Sequence, residues 1–228
     1  MKKKFLAWLL CVAMAAVMLP ATAWADSADP VMTLTTSQAI GSNIMLSLQA
    51  ANAEDLAGVW IDLNANDVKD AGEDNVGLYK SYTIGSQTIT IYGKVTVLES
   101  RSGSLTALDV TQNTALTKLD VYHNSLTTLD VSQNTALTEL NVSDNQITAL
   151  DVSGNTALQT LNCSNNAVAA LDLSANTLLA SLLCANCGLT GLNVSVQTSL
   201  TELNCRNNAI TLLNLSANTA LINLYCTN

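Results

Sequence analysis

Aliphatic residues recur with a 21-residue period through the C-terminal half of the chain. The unit LTALDVTQNTALTKLDVYHNS occupies residues 105–125, and further units follow without an insertion up to residue 228. Each unit carries six aliphatic positions, for example Leu116, Leu119, Val121, Leu126, Leu129 and Val131. A single coil cannot bury these side chains, whereas stacked coils bury them against one another. The pattern therefore predicts a solenoid.

One face of this solenoid is predicted to be a parallel β-sheet, and the other to consist of short turns with little or no helix. The array begins near Val95, and its seven strands are centred near residues 99, 120, 141, 162, 183, 204 and 225. Two asparagine columns mark the turns. One contains Asn124, Asn145, Asn166 and Asn208, and the other Asn113, Asn134, Asn155, Asn176 and Asn218. Their buried amides are expected to bond the backbone groups that turning exposes.

Residues 26–94 do not repeat and carry β signals instead. Alternating apolar and polar residues separated by turn residues predict strands over 31–36, 43–49, 58–62, 78–84 and 88–92. A β-rich cap of this kind would cover the open end of the solenoid, which otherwise exposes aliphatic core and a strand edge.

The N-terminal segment 1–25 has the pattern of a secretory signal peptide. Three lysines precede an apolar run from Phe5 to Leu19, and Ala23-Trp24-Ala25 forms a cleavage site. Cleavage is expected before Asp26, and Leu10 before Cys11 disfavours a lipoprotein. The remaining chain contains no long apolar run, so no transmembrane segment is expected after the signal is removed.

Composition excludes several function classes. Lys and Arg number 9 against 18 Asp and Glu, which argues against a nucleic-acid partner because such proteins carry a basic footprint. Charged residues make up 12% and hydrophobic residues 49% of the chain, which argues against disorder. His123 is the only histidine, and no orienting group or oxyanion site is visible near it. We therefore expect no enzymatic activity.

The cap contains a candidate calcium loop, DLNANDVKDAGE at residues 62–73. Its oxygen donors fall at positions 1, 3, 5, 7, 9 and 12, the EF-hand spacing. They are Asp62, Asn64, Asn66, Val68 through its carbonyl, Asp70 and Glu73. Asp67 replaces the usual glycine at position 6. A structural calcium ion is predicted, and a solvated acidic turn is the alternative.

Two further columns run along the coils. Cys163, Cys184, Cys205 and Cys226 follow the same 21-residue period and should stack inside the array. Export favours disulfides, but adjacent strands place Cβ atoms about 4.8 Å apart, whereas a disulfide needs about 3.8 Å. Reduced, buried thiols are therefore expected. Asp109, Asp130, Asp151 and Asp172, continued by Asn193 and Asn214, form a column on the opposite side.

The stretch Leu116-x-x-Leu119-x-Val121-x-x-Asn124-x-Leu126 resembles the leucine-rich-repeat signature. With the 21-residue period and the cysteine column, the chain resembles internalin-like bacterial surface proteins, particularly the internalin J type. The resemblance implies an exported adhesin or binding protein. The sixth unit stops after INLYCTN without a cap or anchor. The array over 95–228 is therefore expected to be truncated, with end-to-end dimerisation as the alternative.

The positions flanking the strand leucines differ between units, whereas LDVSxNTA is nearly constant. Variable residues on the exposed face of a solenoid form an extended binding surface. The predicted binding face consists of Lys118, Asp120, Tyr122, His123, Glu139, Asn141, Asp144, Asn162, Leu183, Glu202, Asn204, Arg206, Asn223 and Tyr225. A protein or cell-surface ligand is the expected partner, and a structural surface or matrix protein without a specific ligand is the alternative.

Overall fold

The computed structural model describes residues 30–227, so the predicted signal peptide at 1–25 lies outside the described residues. The strands in chain order are β1 (Val31–Thr36), β2 (Asn43–Gln49), β3 (Trp60–Asp62), β4 (Lys80–Thr83), β5 (Thr88–Tyr92), β6 (Val97–Glu99), β7 (Leu105–Asp109), β8 (Lys118–Asp120), β9 (Glu139–Asn141), β10 (Thr160–Asn162), β11 (Ser181–Leu183), β12 (Glu202–Asn204) and β13 (Asn223–Tyr225). A helix, α1 (Ala53–Gly58), lies between β2 and β3.

The predicted parallel sheet is confirmed. Seven strands, β6 and β8 to β13, pair in parallel and in register, so that Leu98 faces Leu119 and Leu119 faces Leu140. Each strand is centred one residue earlier than predicted. The six aliphatic positions of the coil that starts at Leu116 are buried, which confirms the packing expected of stacked coils.

The first asparagine column bonds the turn that follows each strand. Asn124 Nδ2 donates to the carbonyls of Ser100 at 2.8 Å and Val121 at 2.9 Å, and its Oδ1 accepts from Leu105 N at 2.9 Å. Asn145, Asn166 and Asn208 make the same kinds of contact in later coils. The backbone role predicted for this column is confirmed.

The second asparagine column bonds the opposite turns. Asn134 Nδ2 donates to Val110 O at 2.9 Å and to Asn113 O at 2.8 Å. Gln197, which interrupts the column, still reaches Leu173 O at 2.7 Å through its longer side chain. Both columns therefore link each coil to the one before it.

The N-terminal segment continues both sides of the solenoid. On one side, β2 pairs antiparallel with β6 and β4, extending the parallel strands into a nine-stranded sheet. On the other side, β1 pairs antiparallel with β5 and with β7, which belongs to the first coil. A single hydrophobic cluster runs from Met32 in β1 to Cys205 in the repeats. The segment therefore shares its core with the coils.

The cysteine column is buried over most of its length. Cys163, Cys184 and Cys205 are buried free thiols, whereas Cys226 is exposed because its coil is the last in the described range. The expectation of reduced, buried thiols is therefore confirmed for Cys163, Cys184 and Cys205, and its burial is wrong for Cys226. Cys187 occupies the slot of the first asparagine column, and its Sγ donates to Cys163 O at 3.2 Å.

We predict that the thiols of the folded protein differ sharply in reactivity. Burial raises the pKa of the Cys184 and Cys205 thiols and so disfavours the reactive thiolate. In the protein lacking residues 1–25, Ellman's reagent should titrate Cys226 quickly under native conditions. In denaturant without reductant it should titrate all of Cys163, Cys184, Cys187, Cys205 and Cys226. Finding disulfides among these residues after denaturation would contradict the stacking of thiols.

The aspartate column on the side opposite the parallel strands is held by local hydrogen bonds. Asp109 Oδ1 accepts from Thr111 N, and Asp130, Asp151 and Asp172 accept from the N–H two residues later, each at 2.9 Å. These backbone bonds lower the pKa of Asp130, Asp151 and Asp172. Asn193 and Asn214 accept the same bond with an amide oxygen.

We predict that replacing the four aspartates with asparagine leaves the melting temperature at pH 7 unchanged or slightly lower, because asparagine keeps the acceptor. A carboxylate whose folded pKa is lowered stabilises the fold above its unfolded pKa of about 3.9, and this contribution is lost as the pH falls through the folded value. The wild type should therefore lose more stability than the variant between pH 5 and pH 2. A large rise in melting temperature at pH 7 would show that repulsion between the carboxylates dominates.

Candidate binding surface

The solvent side of the nine-stranded sheet, which we call the sheet face, carries most of the predicted binding residues. Six of them are exposed, namely His123, Glu139, Asp144, Arg206, Asn223 and Tyr225. Seven are partly buried, namely Lys118, Tyr122, Asn141, Asn162, Leu183, Glu202 and Asn204. In-register pairing brings equivalent positions of successive strands side by side about 4.8 Å apart, as with Asn141 and Asn162.

Asp120 departs from the expected exposure. It retains only 5% of its accessible surface because Arg101 lies over it. The Arg101 guanidinium bonds Asp120 Oδ2 through Nη2 at 2.7 Å and through Nε at 2.9 Å. The expectation that Asp120 is a solvent-facing contact residue is therefore wrong, because a side chain from the preceding coil covers it.

An ion-pair network extends from Arg101 along the sheet face. Arg101 Nη2 also contacts Glu99 Oε1 at 3.3 Å, and Lys118 Nζ lies 3.1 Å from the same oxygen and 3.3 Å from Glu139 Oε2. Burial acts to lower the pKa of Arg101, but the charge and hydrogen bond of Asp120 outweigh it, so the pKa is raised. The hydrogen bond to Glu99 raises the pKa of Lys118. Both cations are held in place by carboxylates.

The cap contributes residues to the sheet face that sequence reasoning missed. Because β2 pairs with β6, Ser47 lies opposite Glu99, and Met45 lies two residues further along the same side. Arg101 lies about 6.0 Å from the centres of the Tyr79 and Tyr122 rings. No sequence signal marks this extension, since it depends on the pairing of a cap strand with the first coil.

The C-terminal part of the sheet face has a different character. The Arg206 guanidinium lies 4.6 Å from the centre of the Tyr225 ring, within cation–π range. Ser181 Oγ donates to Glu202 Oε2 at 2.8 Å. Between the ion-pair network, which ends at Glu139 in β9, and Glu202 in β12, the outward residues of β10 and β11 are neutral, for example Asn162 and Leu183. A partner would therefore meet two charged zones separated by a neutral one.

His123 serves the backbone turn after β8. Its φ is +59°, and the equivalent residues Asp144, Asn165, Asn186 and Asn207 have φ between +54° and +56°. Asp and Asn tolerate this left-handed conformation better than most residues, as does His. The turn residues also bond one another, with Asn165 Nδ2 on Asp144 Oδ1 at 2.9 Å. A turn position explains His123 without a catalytic role.

The candidate calcium loop forms a closed turn after β3. Asp62 and Glu73 are both buried, and each uses both carboxylate oxygens to accept backbone N–H groups. Asp70 Oδ2 accepts from the side-chain amides of Asn64 at 2.8 Å and Asn66 at 3.0 Å. The six predicted residues thus lie around one turn, with Val68 exposed at its outside.

Tyr92 ties this loop to the core of the cap. Its hydroxyl donates to Asp67 Oδ1 at 3.0 Å, and its ring stacks on Trp60 with centroids 4.1 Å apart. Burial, followed by the hydrogen bond to Asp67, raises the pKa of Tyr92 to about 12. Asp67, at position 6, adopts φ +56°, the left-handed conformation for which glycine is usual. Within residues 30–227, no group of three or more His, Cys, Asp or Glu side chains is placed to hold a metal ion.

Comparison with solved structures identifies the architecture. The functional domain of InlJ from Listeria monocytogenes, which includes a cysteine ladder, is 39% identical over 58% of this chain and 30% of that chain, with a TM-score of 0.57. The repeat region is a leucine-rich-repeat solenoid. It is similar to that of InlJ in its repeat sequence and in having a column of cysteines.

Two further structures match the leucine-rich-repeat region. An internalin, InlF, of Listeria monocytogenes is 28% identical over 50% of this chain and 36% of that chain, with a TM-score of 0.47. A leucine-rich-repeat protein of Leptospira interrogans is 24% identical over 52% of this chain and 32% of that chain, with a TM-score of 0.46. The chain spans about a third of the length of the three solved structures.

Comparison with protein-family models gives no match. Comparison with curated proteins gives no match either. Within residues 30–227, no helix is long and apolar enough to cross a membrane.

Proposed function

We propose that this protein is an exported, non-enzymatic binding protein that recognises a protein or cell-surface ligand through the sheet face. The observation that carries the proposal is the contrast between a fixed backbone and a changing surface. The strands keep one register over seven coils, while the outward side chains change from charged to neutral and back. Repeat proteins present extended binding surfaces in this way.

The similarity to internalin-type solenoids supports a protein-binding role. Export to the bacterial surface or medium is supported by the sequence signals at residues 1–25 and by the same similarity. The free thiols are compatible with oxidising surroundings, because burial shields three sulfur atoms of the cysteine column, those of Cys163, Cys184 and Cys205, from reagents. A structural surface protein without a ligand is the competing function, and it predicts that changes on the sheet face have no effect on attachment.

We predict that the double substitution Asn162→Arg and Leu183→Arg reduces attachment of the purified protein to its target cells at least tenfold, because both residues lie in the neutral zone between the charged zones. The matched control is Thr148→Arg with Ala170→Arg, which adds the same charge to exposed positions on the opposite side. Attachment is measured by flow cytometry, and circular dichroism confirms that both variants fold. Equal attachment of the two variants would favour the structural protein.

We also propose that the loop at residues 62–73 holds a structural calcium ion. All six positions supply oxygen, which is the ligand that Ca²⁺ prefers, and the donors at positions 1 and 12 are buried carboxylates. Lys69 is the one basic residue in the loop, and it is paired with Asp74 at 3.5 Å. The carboxylates of the loop are therefore not neutralised by a lysine or an arginine. Turning the Asn64 and Asn66 amides would direct their oxygens towards Asp70, where their nitrogens now lie. The ion would order the loop and, through Asp67 and Tyr92, the cap.

We predict that calcium raises the melting temperature and that a chelator reverses the change. An ion that binds only the native state adds about 2.7 kcal/mol to the free energy of unfolding at one hundred times its Kd. Asp62→Asn should abolish the response, whereas Asp74→Asn, which removes the same charge outside the six positions, should retain it. Differential scanning calorimetry with and without EGTA makes the measurement. A wild type indifferent to EGTA would refute the calcium site.

A further inference from the structure

A small cavity opens on the sheet face where the cap meets the first coil. It has a volume of about 30 Å³ and is lined by Met45, Ser47, Tyr79, Glu99 and Arg101. This volume accommodates one group the size of a water molecule. The cavity lies outside the binding face that the repeats define, because three of its residues come from the cap.

Two of the residues that line the cavity, Ser47 and Glu99, each carry one buried oxygen without a hydrogen-bond partner. Ser47 in β2 and Glu99 in β6 face each other across paired strands, with 1% and 5% of their surface exposed. Within residues 30–227, neither Ser47 Oγ nor Glu99 Oε2 makes a hydrogen bond, although Glu99 Oε1 contacts both Arg101 and Lys118. A buried oxygen without a hydrogen-bond partner lowers the stability of the folded protein. A donor that reached both atoms would remove this penalty.

The surrounding charges indicate that this donor is positive. The network holds three carboxylates, those of Glu99, Asp120 and Glu139, and two cations, those of Arg101 and Lys118. One added positive charge would balance it. The free oxygen belongs to Glu99, which lies at the centre of this network and lines the cavity.

The rim of the cavity suits an aliphatic stem. Met45 and Tyr79 are 53% and 56% exposed. Tyr79 adopts φ +49°, an unusual conformation for a bulky residue and one that often marks a ligand contact. Long side chains with a charged end lay their methylene groups along apolar surface of this kind.

We propose that this cavity is the anchor site for a lysine side chain of a protein partner. The ammonium group donates to Glu99 Oε2 and Ser47 Oγ, and the stem lies against Met45 and Tyr79. An ammonium is a compact charge, whereas an arginine guanidinium is a planar fork with five N–H donors that exceeds the cavity. The inference rests on the proposed function, because it assigns a class of partner to one end of the sheet face.

The test is an NMR titration of the purified protein with three capped pentapeptides, Gly-Gly-X-Gly-Gly, in which X is lysine, norleucine or arginine. The lysine peptide should cause saturable shifts at the backbone amides of Ser47, Glu99 and Arg101. The norleucine peptide, which has the stem without the charge, should cause no such shifts, and the arginine peptide should bind at least tenfold more weakly. Equal responses to lysine and norleucine would overturn the proposal.

Substitutions separate the cavity from the surrounding network. Glu99→Gln should weaken the lysine peptide at least tenfold, whereas Glu139→Gln, which removes the same charge from the same network two strands away, should change its affinity less than twofold. Ser47→Ala leaves every ion pair in place and should weaken binding about threefold or more, so it serves as the test if Glu99→Gln is unstable. Equal effects of Glu99→Gln and Glu139→Gln would refute a specific anchor.

The two proposals fail in different ways. Loss of cell attachment in the Asn162→Arg and Leu183→Arg variant, without any response to the lysine peptide, would overturn the lysine anchor alone. A specific response to the lysine peptide, with cell attachment unchanged in that variant, would support the anchor and count against attachment through the neutral zone.

Discussion

Hydrogen bonds from buried asparagine side chains to the backbone of neighbouring coils are the interaction on which the structure depends. A coil with so short a strand makes few ladder bonds and turns twice, so it exposes many backbone groups to a dry interior. Asn124 and Asn134 and their equivalents bond those groups to the preceding coil. Each group left unpaired would cost about 1–3 kcal/mol. The leucine side chains are buried only when successive coils stack on one another, so the aliphatic core depends on these hydrogen bonds between coils.

This constraint explains how far sequence reasoning succeeds. A 21-residue period fixes which residues stack, so the strands, both turn columns and the buried aliphatic positions follow directly. Alternating residues also predicted three cap strands with their observed bounds, over 31–36, 43–49 and 88–92. Helix α1 was missed because it is short, buries none of its residues and depends on a local cap from Asn52. Strand β7 was missed because its partner is β1, which lies at the opposite end of the cap sequence.

The binding surface was less predictable for a related reason. Variation between repeats identifies outward positions only inside the array, so Met45, Ser47 and Tyr79 could not be recognised as part of the same face. The burial of Asp120 depends on Arg101, which precedes the regular units. The same repeat position holds an arginine again at Arg206, which lies over Tyr225 instead of covering an acidic side chain. Contacts unique to the junction of cap and solenoid cannot be deduced from a pattern that repeats. The junction is also where unpartnered polar atoms meet exposed apolar side chains.

The presence of Cys187 in an asparagine slot has a consequence for how the array opens. In other coils the asparagine oxygen accepts a backbone N–H from the preceding coil, as Asn208 does for Leu189 at 3.0 Å. A sulfur atom accepts hydrogen bonds only weakly, and Cys187 Sγ instead donates to Cys163 O at 3.2 Å. Within residues 30–227 no hydrogen bond joins Val168 N to Cys187, so this connection between the two coils is missing. Since each coil contacts only its neighbours, cooperativity depends on every link. Amide hydrogen exchange should therefore divide the solenoid at this coil into two cooperative units.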